Sequence, residues 1–182
     1  CSLCTVAALT SCGSGDIGGG LGEFTTVNAS ATALTGRLES DIVTTNSCSA
    51  SVSTGGTIET DNVDVDFTST ALYTTGSLNL VISRITIQYT PVNPATTPDI
   101  PDTYLNVSKP VEPGATETIT VPVLTEAQKI ALLNRTTLAM PLCGPTVFEY
   151  YVNIIFEASE LGGNGEVHNV TARMNLAVAD RT

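Results

Sequence analysis

The chain has 182 residues and a formal net charge of −11, with seven Lys and Arg, one His and no Trp. That balance excludes the basic footprint that nucleic-acid binding needs and disfavours docking to anionic membranes. Charged residues make up only 14% of the chain, against about 25% in typical soluble proteins, and Thr and Ser fill the gap. Such a composition suits an exported β-protein. The length allows one domain with a real core plus a terminal extension, and no run reaches the roughly 18 apolar residues of a membrane-spanning helix.

Three of the five cysteines, Cys1, Cys4 and Cys12, fall in the first twelve residues. The residues between them are small or apolar, include Leu3, Val6 and Leu9, and carry no charge. A redox Cys-x-x-Cys sits at a helix start after a strand. Cys1 and Cys4 precede every predicted element, and no His follows as a haem attachment requires. Leu9-Thr10-Ser11-Cys12 resembles a bacterial lipobox, so Cys1 and Cys12 are candidate lipid anchors. The chain opens on Cys1 rather than Met, from which processing and export are expected. Gly13 to Gly22 is glycine-rich and reads as a flexible hinge. It lacks the preceding strand, following helix and Lys of a phosphate-cradling loop. The expected organisation is an assembly arm over 1–12, a hinge over 13–22 and a β-domain over 23–182.

The body reads as strands. Phe24 to Leu34 and Asp41 to Val52 are weakly patterned. Asn62 to Phe67 alternates strictly, with Val63, Val65 and Phe67 on one face and Asp64 and Asp66 on the other. Leu78 to Tyr89 changes phase between the row Leu78, Leu80, Ile82 and the row Ile85, Ile87, Tyr89, which predicts a β-bulge near Ser83-Arg84. Pro91 to Pro101 holds four prolines and reads as a surface connection. A short strand at Tyr104 to Val107 and a turn at Glu112-Pro113-Gly114 follow. Thr116 to Val123 alternates Ile119, Val121 and Val123 inward, and Pro122 points to a sheet edge or a strand end. Thr125 to Leu133 is the one good helix, with Thr125 and Gln128 in a capping-box pattern. Val147 to Phe156 is aromatic and β-branched. Gly162 to Gly165 then turns the chain into Val167 to Val178, which places Val170, Ala172, Met174, Leu176 and Val178 on one face. Seven to nine strands with one helix predict an all-β, antiparallel, immunoglobulin-like sandwich.

Leu80 to Tyr89, Val111 to Gly114, Tyr150 to Glu157 and Asn175 to Asp180 together resemble a family of poorly characterised small exported bacterial proteins, lipoprotein-like in character. The resemblance covers about residues 62–180. It implies the immunoglobulin-like sandwich and no activity.

Few residues invite chemistry. His168 is the only histidine and reads as lying on the polar side of its strand. The Gly-x-Ser-x-Gly elbow of a serine hydrolase is absent. Asp61, Asp64 and Asp66 offer hard oxygen ligands for Ca²⁺ but lack EF-hand spacing, and a solvated acidic face is the plainer reading. Tyr150 and Tyr151 project to opposite faces, one expected in the core and one outside. Sequons begin at Asn28, Asn106, Asn134 and Asn169 and permit glycosylation in an exported chain. No catalytic, cofactor or metal residue is assigned, so no enzyme activity or cofactor is expected. Cys48 and Cys143 lie inside the body and form the favoured internal disulfide. Cys1, Cys4 and Cys12 remain for intersubunit bridges or a lipid.

Two functions fit these parts. The first is a structural subunit of an extracellular filament, in which the arm docks on a neighbouring copy head to tail. The second is a monomeric cell-surface lipoprotein that binds a ligand through its loops. The partner in the first case is the chain itself, and a membrane enters only with lipidation.

Overall fold

Period-two alternation dominates the body, and most alternating runs become strands buried on one face. A computed structural model describes residues 22–49 and 52–181. The arm with Cys1, Leu3, Cys4, Val6, Leu9 and Cys12, and the hinge as far as residue 21, lie outside the described residues.

The elements in order are β1 (Gly22–Glu23), β2 (Val27–Ala33), β3 (Arg37–Asp41), β4 (Ser47–Ser49), β5 (Val52–Thr54), β6 (Asp61–Ala71), β7 (Leu80–Pro91), β8 (Thr103–Val111), β9 (Thr116–Leu124), α1 (Glu126–Leu133), β10 (Phe148–Glu160) and β11 (Val167–Ala179). A four-stranded sheet in the order β1-β2-β6-β9 packs against a five-stranded sheet in the order β3-β11-β10-β7-β8, and β4-β5 is a separate hairpin. The chain is therefore all-β with two packed sheets and one short helix. One pairing departs from the expected antiparallel scheme, because β3 runs parallel to β11. The three residues between β2 and β3 move the chain from one sheet to the other without a hairpin, with Leu34 still bonded to Asp64 of the first sheet and Gly36 already bonded to Asn175 of the second.

The inner faces meet in a single apolar core. Phe67 of β6 and Phe156 of β10 pack edge to face across the two sheets, with ring centroids 5.5 Å apart. Around them lie Val63, Val65, Ile85, Ile87, Ile154, Val170, Ala172 and Leu176, all buried. Tyr150 is buried and Tyr151 is exposed, as their opposite faces require. The phase change in β7 is a bulge: Ser83 and Arg84 are both exposed, and the register shifts there against both β8 and β10. Without it, Ile85, Ile87 and Tyr89 would face water. Pro122 lies on β9, which pairs with β6 and forms the edge of its sheet. A proline has no N–H to give a second neighbour. Thr125 caps α1, with its side chain accepting from the Gln128 N–H and the Gln128 side chain accepting from the Thr125 N–H.

Three expectations are corrected. The strand expected over 41–52 is broken, because Ile42 bonds to Ala179 and Thr45 takes a left-handed φ of 60° before β4 begins. The strand expected from Phe24 begins at Val27, since Phe24 N–H bonds back to Val27 across a tight bend. The proline-rich connection is not wholly superficial. Thr97 and Ile100 are buried, and the Pro98 carbonyl accepts from the Tyr150 hydroxyl at 2.9 Å.

Gly22 marks where the described chain enters the fold. A Cβ there would sit 2.6 Å from Val170 Cγ2, so a side chain would push β1 off β11.

Candidate functional site at the open sheet edges

Both sheets end on the same side of the sandwich, in β9 and β8, which the Glu112–Ala115 turn connects. Among the described residues β9 pairs only with β6, and β8 only with β7. Each therefore presents a row of unpaired main-chain groups. Between the two edges runs a groove of about 480 Å³ lined by Ile85, Val107, Lys109, Thr118, Ile119 and Thr120. Leu105, Val107 and Ile119 are only partly buried against the core, so apolar surface reaches the groove. At its turn end Lys109 Nζ pairs with Glu117 Oε2 at 2.8 Å. Exposed edges promote association with other strands, and natural proteins blunt them with prolines and charges. Pro110 and Pro122 do so at the two extremities, leaving 116–121 of β9 free of proline. The entry strand β1 is at the opposite edge of the same sheet.

The expected Cys48–Cys143 disulfide is present, with Cα atoms 5.5 Å apart and 95 residues between them in sequence. It fastens the β4-β5 hairpin to the loop between α1 and β10. Beside it lies Asp180, only 5% exposed. Its carboxylate accepts from Asn46 Nδ2 at 2.9 and 3.1 Å and from the Cys143 N–H. The last bond holds Cys143 in a left-handed conformation, φ 56°, which a non-glycine residue adopts only when its surroundings impose it. Ligand atoms of Cys48, Cys143 and Asp180 lie within 4.8 Å of one another. The two sulfurs are bonded to each other, however, and metal ligation needs thiolates. A disulfide of this span points away from a reducing cytosol, and no helix among the described residues is long and apolar enough to cross a membrane.

A second polar cluster lies under α1. Lys129 is 1% exposed. Its Nζ donates to the Asp41 carbonyl at 2.7 Å and pairs with Asp61 Oδ2 at 3.0 Å. Ser40 Oγ donates to the same carboxylate oxygen. This cluster ties the helix to β3 and to the start of β6. It also separates the three aspartates considered for Ca²⁺. Asp61 shares the inward parity of Val63 and Val65, whereas Asp64 and Asp66 face outward, where Thr120 and Thr118 donate to them at 2.6 Å each.

His168 corrects its expected place. It has the parity of Val170 and Ala172, and its ring packs edge-on against Phe24 at 5.0 Å. It is half-buried at the end of the inner face rather than on the polar side. Its nearest carboxylate is the exposed Glu166, 3.9 Å away. A small cleft of about 200 Å³ between α1 and the β7–β8 loop is lined by Ile100, Pro101, Ala127, Gln128, Ala131 and Leu132 among others. It is smaller than the roughly 300–1,000 Å³ of typical ligand pockets. Burial pushes the pKa of the Tyr89 and Tyr150 phenols above the ordinary value and so disfavours their ionisation; their hydroxyls donate to the carbonyls of Val123 and Pro98. At the surface the Arg37 guanidinium holds the Glu39 carboxyl below its usual range.

Sequence reasoning missed Lys129, Asp180 and the groove. A lone Lys in an otherwise uncharged helix core stretch, Ala127-Gln128-Lys129-Ile130-Ala131, was an available signal for the first. Asp180 depends on contacts between residues far apart in sequence, and the groove depends on which strands end each sheet; alternation discloses neither. Comparison with protein-family models, with curated proteins and with solved structures finds no match.

Proposed function

We propose that this protein is a structural subunit of an extracellular filament that self-assembles head to tail, through residues 1–12 docking on a neighbouring copy. The observation that carries the reading is the asymmetry of the four-stranded sheet. The chain enters at its β1 edge, and the sandwich lies open at the β9 edge. A contact joining the two is heterologous and propagates instead of closing on itself. The charge-free composition of residues 1–12 suits burial in such a contact. Their three cysteines supply covalent locks in an oxidising compartment.

The finer fold reading is immunoglobulin-like. β2, β6 and β9 take the order of strands A, B and E, while β11, β10, β7 and β8 take that of G, F, C and C′.

The test is the state of the purified full-length protein. Filaments in negative-stain micrographs, and a ladder on non-reducing gels that collapses with reductant, are expected. Removal of residues 1–12 is expected to abolish both while leaving the β-sheet circular dichroism intact. Monomers under every condition, with an acyl mass on the N-terminal peptide, would instead establish the cell-surface lipoprotein.

A further inference from the structure

On the immunoglobulin-like reading, the four-stranded sheet has an empty place beside β9. In immunoglobulin-type sandwiches strand D lies beside strand E and completes that sheet. Here β9 takes the place of E, the chain passes from β8 to β9 through the turn at 112–115, and among the described residues no strand lies beyond β9. The groove described above occupies that position.

We propose that residues 1–12 of a second copy enter this groove as an added strand on the free edge of β9. The proposal rests on the filament reading and names its acceptor. The proline-free edge over 116–121 is about 20 Å long at roughly 3.3 Å per residue, and an arm of twelve residues covers it. The floor is apolar, formed by Ile85, Val107 and Ile119. Lys109 and Glu117 at the groove's turn end are paired with each other, and the Asp66 and Asp64 carboxylates on the outer face accept from the lining residues Thr118 and Thr120. An incoming strand there must bring no charge, and residues 1–12 bring none. In an extended arm Leu3 and Leu9 share one face and can enter the slot, Val6 falls on the other face, and the small residues around them, Ala7 and Ala8 among them, fit a narrow space between two sheets. Main-chain bonds to β9 supply the affinity and the side chains in the groove supply the register.

The occupant is a second copy because the described chain enters the sandwich at the edge opposite the groove. Gly22 lies at the β1 edge, three strand spacings or about 14 Å from β9 across the sheet. A neighbour displaced along that axis receives the arm directly, whereas the same chain must wrap around its own sandwich. Each docking leaves one free arm and one free groove, so growth continues.

The test uses the full chain with a photo-crosslinking benzoylphenylalanine at Thr118, prepared as an equal mixture of ¹⁴N- and ¹⁵N-labelled subunits. Irradiation of polymers is expected to give cross-links from position 118 to peptides within residues 1–12, with light–heavy pairs as abundant as statistical mixing requires. A synthetic 1–12 peptide with its cysteines replaced by Ser is expected to compete with assembly. Ile119→Lys, which places a charge in the groove, is expected to lower the polymerised fraction more than about tenfold. Tyr151→Ser, on the exposed face of the other sheet, is expected to leave it unchanged. Polymers whose cross-links map elsewhere would overturn the groove and leave the filament standing. Cross-links confined to light–light and heavy–heavy pairs would show that each chain fills its own groove. Monomers that give no cross-link would overturn both readings.

Discussion

Lys129 provides a sharp test of how the fold is held, because its two obvious replacements should behave differently. The ammonium is 1% exposed, with the Asp61 carboxylate at 3.0 Å and the Asp41 carbonyl at 2.7 Å. Asp61→Ala removes the countercharge and leaves the ammonium buried with one neutral acceptor. Breaking a buried pair in this way typically costs about 3–5 kcal/mol. The Asp61 side chain is itself 23% exposed, so water screens the pair and the lower end, about 3 kcal/mol, is expected. Lys129→Met removes the charge and keeps the stem's packing. Asp61 then retains the Ser40 donor and its access to water, and the loss reduces to one hydrogen bond, about 1 kcal/mol. The double variant should resemble Lys129→Met far more than the sum of the two. Urea unfolding at pH 7 reads this directly. With a slope of about 2 kcal/mol/M, the midpoint falls by about 1.5 M for Asp61→Ala and about 0.5 M for Lys129→Met. Equal losses from the two single variants, or a larger loss from Lys129→Met, would refute the view that the ammonium is a desolvated charge held by its partner.

Two further outcomes follow from the same structure. The Cys48–Cys143 bridge spans 95 residues, which the chain-entropy relation converts to about 4.7 kcal/mol. Guanidinium unfolding with and without reductant should show a loss of that order, and a loss below about 1 kcal/mol would contradict it. Burial raises the Tyr89 and Tyr150 ionisations above the ordinary value of 10.0. The native state therefore holds these protons more tightly than the unfolded chain does. The stability they contribute is complete below pH 10 and is lost as pH rises beyond it. Tyr150→Phe should move the alkaline unfolding midpoint upward in a near-ultraviolet circular dichroism titration; an unchanged midpoint would show that this phenol does not drive alkaline unfolding.

Much of the body was legible because alternation is a local property. Val63, Val65 and Phe67 declare an inward row by themselves, and the phase change at Ser83-Arg84 declares a bulge because Ile85 and Ile87 must return to the core. The Thr125 cap and the edge placement of Pro122 follow equally from single residues, since a capping hydroxyl and a missing N–H act within a few bonds. Glycine, proline and period two thus determined most of the longer strands, most of their inward rows and the all-β class.

Partners across the sheets were another matter. The parallel seat of β3 beside β11, the burial of Lys129 beneath α1 and the grip of Asp180 on Cys143 join residues far apart in sequence. Only closure of the sandwich brings them together. Which strands end each sheet is likewise a property of the whole arrangement: beyond the mark that Pro122 leaves on β9, β9 and β8 alternate like any interior strand, and their free edges arise because nothing else among the described residues pairs with them. The sequence by itself determined which side chains turn inward, through contacts between near neighbours. Only the tertiary structure decided where that inward face is left open, because an edge is defined by the strand that does not come next to it.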